Sequence, residues 1–167
     1  SDSAEEAARV IVALTGGRLA YATELVRALA DPALRVHDPI SALAALLAPG
    51  GALCTRCRHS YEFRLHRARG YGALKAILGI LCEDEPITLT DIAGHMRRTP
   101  GSTKDYLGWL EDVDLVVSHR KRYSFADPVL RLWVRLHTHC DPPDDTQVAD
   151  AVQRYAVTRL SAASESC

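Results

Sequence analysis

Apolar positions recur at helical spacing through most of the chain, and Gly, Pro and Asp residues punctuate the pattern. Ser3 and Glu6 stand three apart ahead of Ala7, Ala8, Ile11 and Val12, which reads as a capping box opening a first helix. Gly16-Gly17 ends that helix. Ala22, Leu25, Val26 and Leu29 mark the inward face of a second, stopped at Asp31-Pro32. Asp38-Pro39 reads as an N-cap with proline in the first helical position, followed by Ile40, Leu43, Leu46 and Leu47. Pro49-Gly50-Gly51 closes this third helix. No alternating pattern interrupts the stretch, so an all-helical first unit rich in alanine and leucine is expected. Tyr61 and Leu65, one turn apart, predict a helix linking two units between Leu53 and Arg69, with the boundary at Arg69-Gly70.

The second half changes character. Leu74, Ile77, Leu78 and Leu81 give one face of a helix from Tyr71 to Cys82, ended by Glu83-Asp84-Glu85-Pro86. Ile87-Thr88-Leu89 predicts a short extended segment. Thr88 or Thr90 then caps a short helix with Leu89, Ile92, Ala93 and Met96 inward. Arg97 to Gly101 reads as a turn, and Ser102 as the cap of a third helix with Tyr106, Leu107, Leu110 and Val113 at core spacing. Leu115-Val116-Val117 is β-branched and Arg122-Tyr123-Ser124-Phe125 alternates, which predicts a hairpin across a basic turn. Asp127-Pro128 restarts a helix carrying Val129, Leu130, Leu132, Trp133 and Leu136. A polar linker runs from Cys140 to Asp145. A last helix from Thr146 to Leu160 is expected to bury Val148, Val152 and Tyr155, with 161–167 fraying. The fold class is therefore mainly α: a helical bundle, then a winged helix-turn-helix with a two- or three-stranded β wing. The expected domains are 1–69, 70–139 and 140–167.

Composition adjusts this picture only locally. The chain has 167 residues, 25% of them charged, and a formal net charge of −1, so it lacks the overall basicity of many dedicated nucleic-acid binders. The exception is Gly51 to Lys75, where six Arg/Lys face one acid. Five cysteines, irregularly spaced and with no apolar leader before them, predict a reduced, cytoplasmic setting. No run approaches the roughly 18 apolar residues of a membrane span. The chain opens at Ser1 without an initiator Met, as expected of a fragment of a longer protein.

In a winged helix the third helix enters the major groove and the ribbon reaches a neighbouring groove or the phosphates. The candidate DNA contacts are Arg97 and Arg98 in the turn, Thr103 and Lys104 on the third helix with Asp105, Gly108 and Trp109 beside them, and His119, Arg120, Lys121 and Arg122 in the wing. Asp105, Glu111 and Asp112 on the same helix argue instead for a protein-binding or autoinhibitory surface without DNA. Cys54-x-x-Cys57 with His59 is half of a zinc site. A structural site needs four ligands, and His66 and Cys82 lack the spacing to complete it, so no bound metal is expected. His137 and His139 with Cys140 stand at a helix end, where cations favour the dipole. No nucleophile–base arrangement is present, so no active site is expected.

The strings "ILGILCEDEPITLTDIAGHM", "STKDYLGWLEDVDLV" and "RYSFADPVLRLWVRLH" resemble the C-terminal winged helix of prokaryotic, archaeal-type AAA/STAND ATPases. The matching positions are Ile77-Leu78, Thr90-Asp91-Ile92-Ala93, Tyr106-Leu107 with Leu110, Leu115-Val116, Tyr123 with Phe125, and Asp127-Pro128, Leu130-Arg131 and Trp133. The segment "LTGGRLAYATELVRAL" resembles the Gly-Gly region of that family's helical lid, although the family's proline after Gly-Gly is missing here. The resemblance covers most of Ile11 to His137. It implies a nucleotide-binding domain ahead of Ser1, with ATP and Mg²⁺ there, and makes Arg18 a candidate nucleotide sensor. The chain itself has no G-x-x-x-x-G-K-[ST] loop, so it is not expected to act as an enzyme. The expected partners are duplex DNA, the chain's own ATPase domain or another protein.

Overall fold

The computed structural model describes residues 2–139 and 141–166. Expectations that fell on Ser1, Cys140 and Cys167 lie outside the described residues. The described chain is mainly helical, with nine helices and a small three-stranded antiparallel sheet. Its contacts divide it into two compact units. Ser1–Arg56 joins Leu136–Cys167 in the first, and Cys57–Arg135 forms the second.

In the first unit, α1 (Asp2–Thr15), α2 (Leu19–Ala30) and α3 (Pro39–Leu47) are packed together with α9 (Asp145–Glu165). Ser3 lies inside α1, so the Ser3–Glu6 pair does not open that helix; Glu6 instead accepts from Arg9 at 3.4 Å. The inward face of α2 is Tyr21, Leu25 and Ala28, whereas Val26 is 55% exposed. The fully buried Leu25 sets that face, and Tyr21 and Ala28 fall on it one turn to either side; Val26 points 100° away. Asp38 caps α3 as expected, accepting from Ser41 N–H at 2.9 Å with Pro39 in the first position.

The expected division at Arg69-Gly70, with 140–167 set apart, differs from the contact pattern. The contacts divide the chain inside α4 (Ala52–Arg67) and return α9 to the first unit. The reason is burial: Val148, Val152 and Ala156 of α9 need an apolar partner, and α1 and α3 supply it. An Asp144–Gln147 capping box starts α9, and the helix continues to Glu165, past the expected end at Leu160. Tyr155 is half-buried; its hydroxyl donates to Leu14 O, while Arg159 Nε donates to Ala13 O at 2.9 Å. Both bonds satisfy carbonyls in the last turn of α1 that have no partner within the helix.

The second unit runs α5 (Tyr71–Glu83), β1 (Ile87–Thr88), α6 (Leu89–Met96), α7 (Pro100–Asp112), β2 (Val116–His119), β3 (Arg122–Phe125) and α8 (Pro128–His137), the last two residues of α8 belonging to the first unit. The sheet order is β1-β3-β2, all antiparallel, with Ile87 opposite Tyr123 and Val116 opposite Phe125. Thr88, not Thr90, caps α6. Thr99 replaces the expected Ser102 as the cap of α7, because Pro100 is pre-set for the first helical position and Thr99 Oγ1 accepts from Ser102 N–H. Leu107 and Leu110 are fully buried, whereas Tyr106 and Val113 are half-buried. Asp127, only 5% exposed, accepts from Val129 N–H and Leu130 N–H at 3.0 and 3.2 Å and so opens α8.

Glu85 joins three elements. Its Oε2 accepts from Phe125 N–H at 2.7 Å, and its Oε1 lies 3.5 Å from Arg131 Nε. Burial pushes its carboxyl above the ordinary value, against the opposing pull of the Phe125 N–H and the Arg131 charge. Among the described residues, no single helix is long and apolar enough to cross a membrane.

Candidate nucleic-acid interface

Three segments of the second unit carry the sequence-predicted cations. The first is the turn between α6 and α7. Arg97 ends α6 in the left-handed region, at φ 52°, and its N–H and that of Arg98 return to Gly94 O and Ala93 O. This closes the last turn of α6 and leaves both side chains exposed. Arg98 is directed back along α7. Its Nη1 lies 3.3 Å from Tyr106 Oη, and its guanidinium sits 5.3 Å from the centre of the Tyr106 ring. Tyr106 in turn meets Trp109 edge to face, with ring centres 5.3 Å apart.

The second segment is α7. Lys104 and Asp105 are exposed near its N-terminal end, and Glu111 and Asp112 at its C-terminal end. Cations and the positive end of the helix dipole thus share one end of α7, and acids crowd the other. The charge of Glu111 reaches β3, where it assists burial in raising the Tyr123 phenol. Thr103 does not belong to this surface. It is fully buried, and its hydroxyl donates to Thr99 O at 2.9 Å. Position 103 falls on the core side because it stands one turn before Leu107 and two turns before Leu110 on the same helix face.

The third segment is the hairpin. His119 pairs with Arg122, so Arg120 and Lys121 are the whole loop. Both have positive φ, 51° and 62°, as a type I′ turn requires. The sequence contained no Asn-Gly or Asp-Gly to announce that turn. All four residues His119 to Arg122 are exposed, and Arg122 Nη1 lies 3.5 Å from Pro86 O.

The remaining candidates separate from this surface. Arg18 is exposed at the start of α2, after Gly16 and Gly17 at φ 63° and 74°, and its side chain does not cap the helix. Cys54 and Cys57 are buried, whereas His59 is exposed. The half zinc motif does not converge, because His59 lies on a different face of α4 from the thiols. Among the described residues, no group of three or more His, Cys, Asp or Glu side chains is placed to hold a metal. Cys54 Sγ instead lies 3.6 Å from His137 Nε2, which is also 2.7 Å from Leu47 O. A carbonyl only accepts, so Nε2 carries the proton and donates to the C-terminal carbonyl of α3. Cys82 is likewise inert: it donates to Gly79 O at 3.1 Å, and burial raises its thiol to about 11.

Comparison with family models, with curated proteins and with solved structures found no match. Function must therefore be read from the residues themselves.

Proposed function

We propose that segment 70–139 is a winged helix-turn-helix that binds duplex DNA, in the C-terminal region of a prokaryotic AAA/STAND-type ATPase. ATP and Mg²⁺ belong to a nucleotide-binding domain of that parent, and this chain contributes no catalysis. The order α5-β1-α6-α7-β2-β3, with β1 paired to β3, supports the module. The hairpin tip carries the DNA reading: four contiguous exposed residues, His119 to Arg122, with Arg120 and Lys121 projected by a two-residue turn. In this reading the tip meets phosphates, Arg98 positions the N-terminal end of α7, and Lys104 faces the groove.

Duplex binding measured against salt tests it. Arg120, Lys121 and Arg122 each contribute about 0.9 to the slope of log affinity against log salt if each meets a phosphate. Reversing all three charges should flatten that slope by about 3. Unchanged duplex binding by the triple variant removes the wing from the contact.

A second reading is a protein-binding or autoinhibitory surface without DNA. The exposed Asp105, Glu111 and Asp112 and the inward Thr103 favour it. Failure to shift any duplex at low salt, with tight binding to the parent's ATPase domain, selects this reading.

A further inference from the structure

The most basic stretch of the chain is not the wing but α4 and the turn after it. From Cys57 to Lys75 it carries Arg58, Arg64, Arg67, Arg69 and Lys75 against Glu62 alone. Glu62 is already committed. It accepts from Tyr71 Oη at 2.7 Å and lies 3.5 Å from Lys75 Nζ and 3.6 Å from His66 Nε2. Arg64 donates to Asp114 O at 3.1 Å. Arg58, Arg67 and Arg69 are exposed and form no ion pair among the described residues.

Planar groups lie between these cations. Phe63 is 63% exposed, with the Arg67 guanidinium 5.5 Å from its ring centre. His66 stacks on Tyr71 at 4.8 Å and 20°. Phe63 and Arg67 stand four residues apart on α4, about 6 Å along the axis. Arg67 and Arg69 then line a shallow hollow of about 160 Å³ with Trp109 and the exposed Asp112, next to Gly70, so two cations face one carboxylate there. Gly70 lets the backbone pass close to the aromatic pair, because a Cβ there would come within 2.7 Å of Tyr106.

We propose that the outer face of α4 from Phe63 through Arg67, continuing to the Arg69–Trp109 hollow, binds single-stranded nucleic acid. The cations match a phosphate backbone. An exposed aromatic ring among them matches an unstacked base, which offers a free π-face. In a duplex that face is covered by its neighbours, so Phe63 would gain nothing there. An acidic protein would satisfy the cations but has no particular use for the planar faces. His119 to Arg122 do not line the hollow, so the proposal does not depend on the wing reading.

The test is fluorescence anisotropy of the full chain with a labelled oligothymidylate of about 15 nucleotides, run beside a duplex and poly-glutamate. Phe63→Leu keeps an apolar side chain but removes the ring. It should weaken oligothymidylate binding by about five- to a hundredfold, while Phe63→Trp preserves it. Arg67→Ala with Arg69→Ala should flatten the salt slope by about 1.4. Reversal of Arg120, Lys121 and Arg122 should leave oligothymidylate binding unchanged, which separates this site from the wing. Thermal melts monitor folding, which these exposed positions should not disturb. Equal binding by wild type and Phe63→Leu overturns the proposal. Poly-glutamate binding as tight as oligothymidylate binding also overturns it and assigns the face to an acidic protein.

Discussion

Arg120 and Lys121 occupy a conformation that disfavours them. At φ 51° and 62° they form both central positions of a two-residue hairpin loop. A left-handed residue with a Cβ costs about 1–2 kcal/mol, a cost that glycine escapes and asparagine partly avoids. Replacing the pair with Asn-Gly should relieve roughly 2 kcal/mol of strain. The extra freedom of glycine in the unfolded chain returns about 0.5–1 kcal/mol of that. The net expectation is a gain near 1 kcal/mol and a Tm rise of about 2–4 °C for a chain of this size. The same change deletes two cations from the tip, so the duplex salt slope should flatten by about 2. Calorimetry and anisotropy on one variant read both effects. A more stable protein that binds duplex less tightly is the signature of strain retained for a contact. A lower Tm refutes the reading of the turn, and an unchanged salt slope refutes the reading of the wing.

Three further outcomes are expected. Asp127→Ala leaves two buried N–H groups of α8 without their acceptor, which should cost about 1–3 kcal/mol in urea unfolding, whereas Asp127→Asn keeps an acceptor and should cost well under half of that. Burial holds the Glu85 carboxyl above its ordinary value, so the folded state binds that proton more tightly than the unfolded chain does. Its contribution to stability is thus present at low pH and lost as pH rises from about 4.3 through the folded value. Glu85→Gln should remove that part of the pH dependence in urea melts. Gly70→Ala places a Cβ 2.7 Å from Tyr106 in a backbone at φ 82°, and should lower stability by about 1–3 kcal/mol while perturbing Trp109 fluorescence.

Much of the fold was legible because local rules agreed with tertiary ones. The cap at Asp38, the helix from Tyr71 and the hairpin from 115 to 125 followed from side-chain type and period, whereas the choice between Thr88 and Thr90 as the cap of α6 did not. What escaped was set by distant partners. Nothing near Val148 says that α9 returns to α1, since a half-polar helix is equally compatible with a free linker. Thr103 reads as an exposed polar residue by its type, although its spacing to Leu107 and Leu110 puts it on the core face of α7. His137 reads as a dipole cap, and nothing local announces its bond to Leu47 O, 90 residues away in sequence. Of the candidate interface, the cations were legible but their presentation was not. A type I′ turn without glycine leaves no signature, and the exposure of Phe63 depends on which face of α4 the core takes.

The residues behind the family resemblance and the residues available to a ligand barely overlap. Asp127, Leu130 and Trp133 are 5%, 1% and 3% exposed, and Arg131 is held beside Glu85. These positions answer to packing: one opens α8, and Trp133 lies 5.3 Å from the Tyr61 ring. Interior residues hold a fold together, but binding is decided outside it. The outside here is Arg98, Lys104, the hairpin tip and the Phe63 face of α4. Changes at Asp127 or Glu85 should therefore move Tm and leave the salt slope unaltered wherever the protein stays folded. Changes at Lys121 or Arg67 should move the slope. If interior changes shift the slope in the folded protein, the binding surface is coupled to the α8 core.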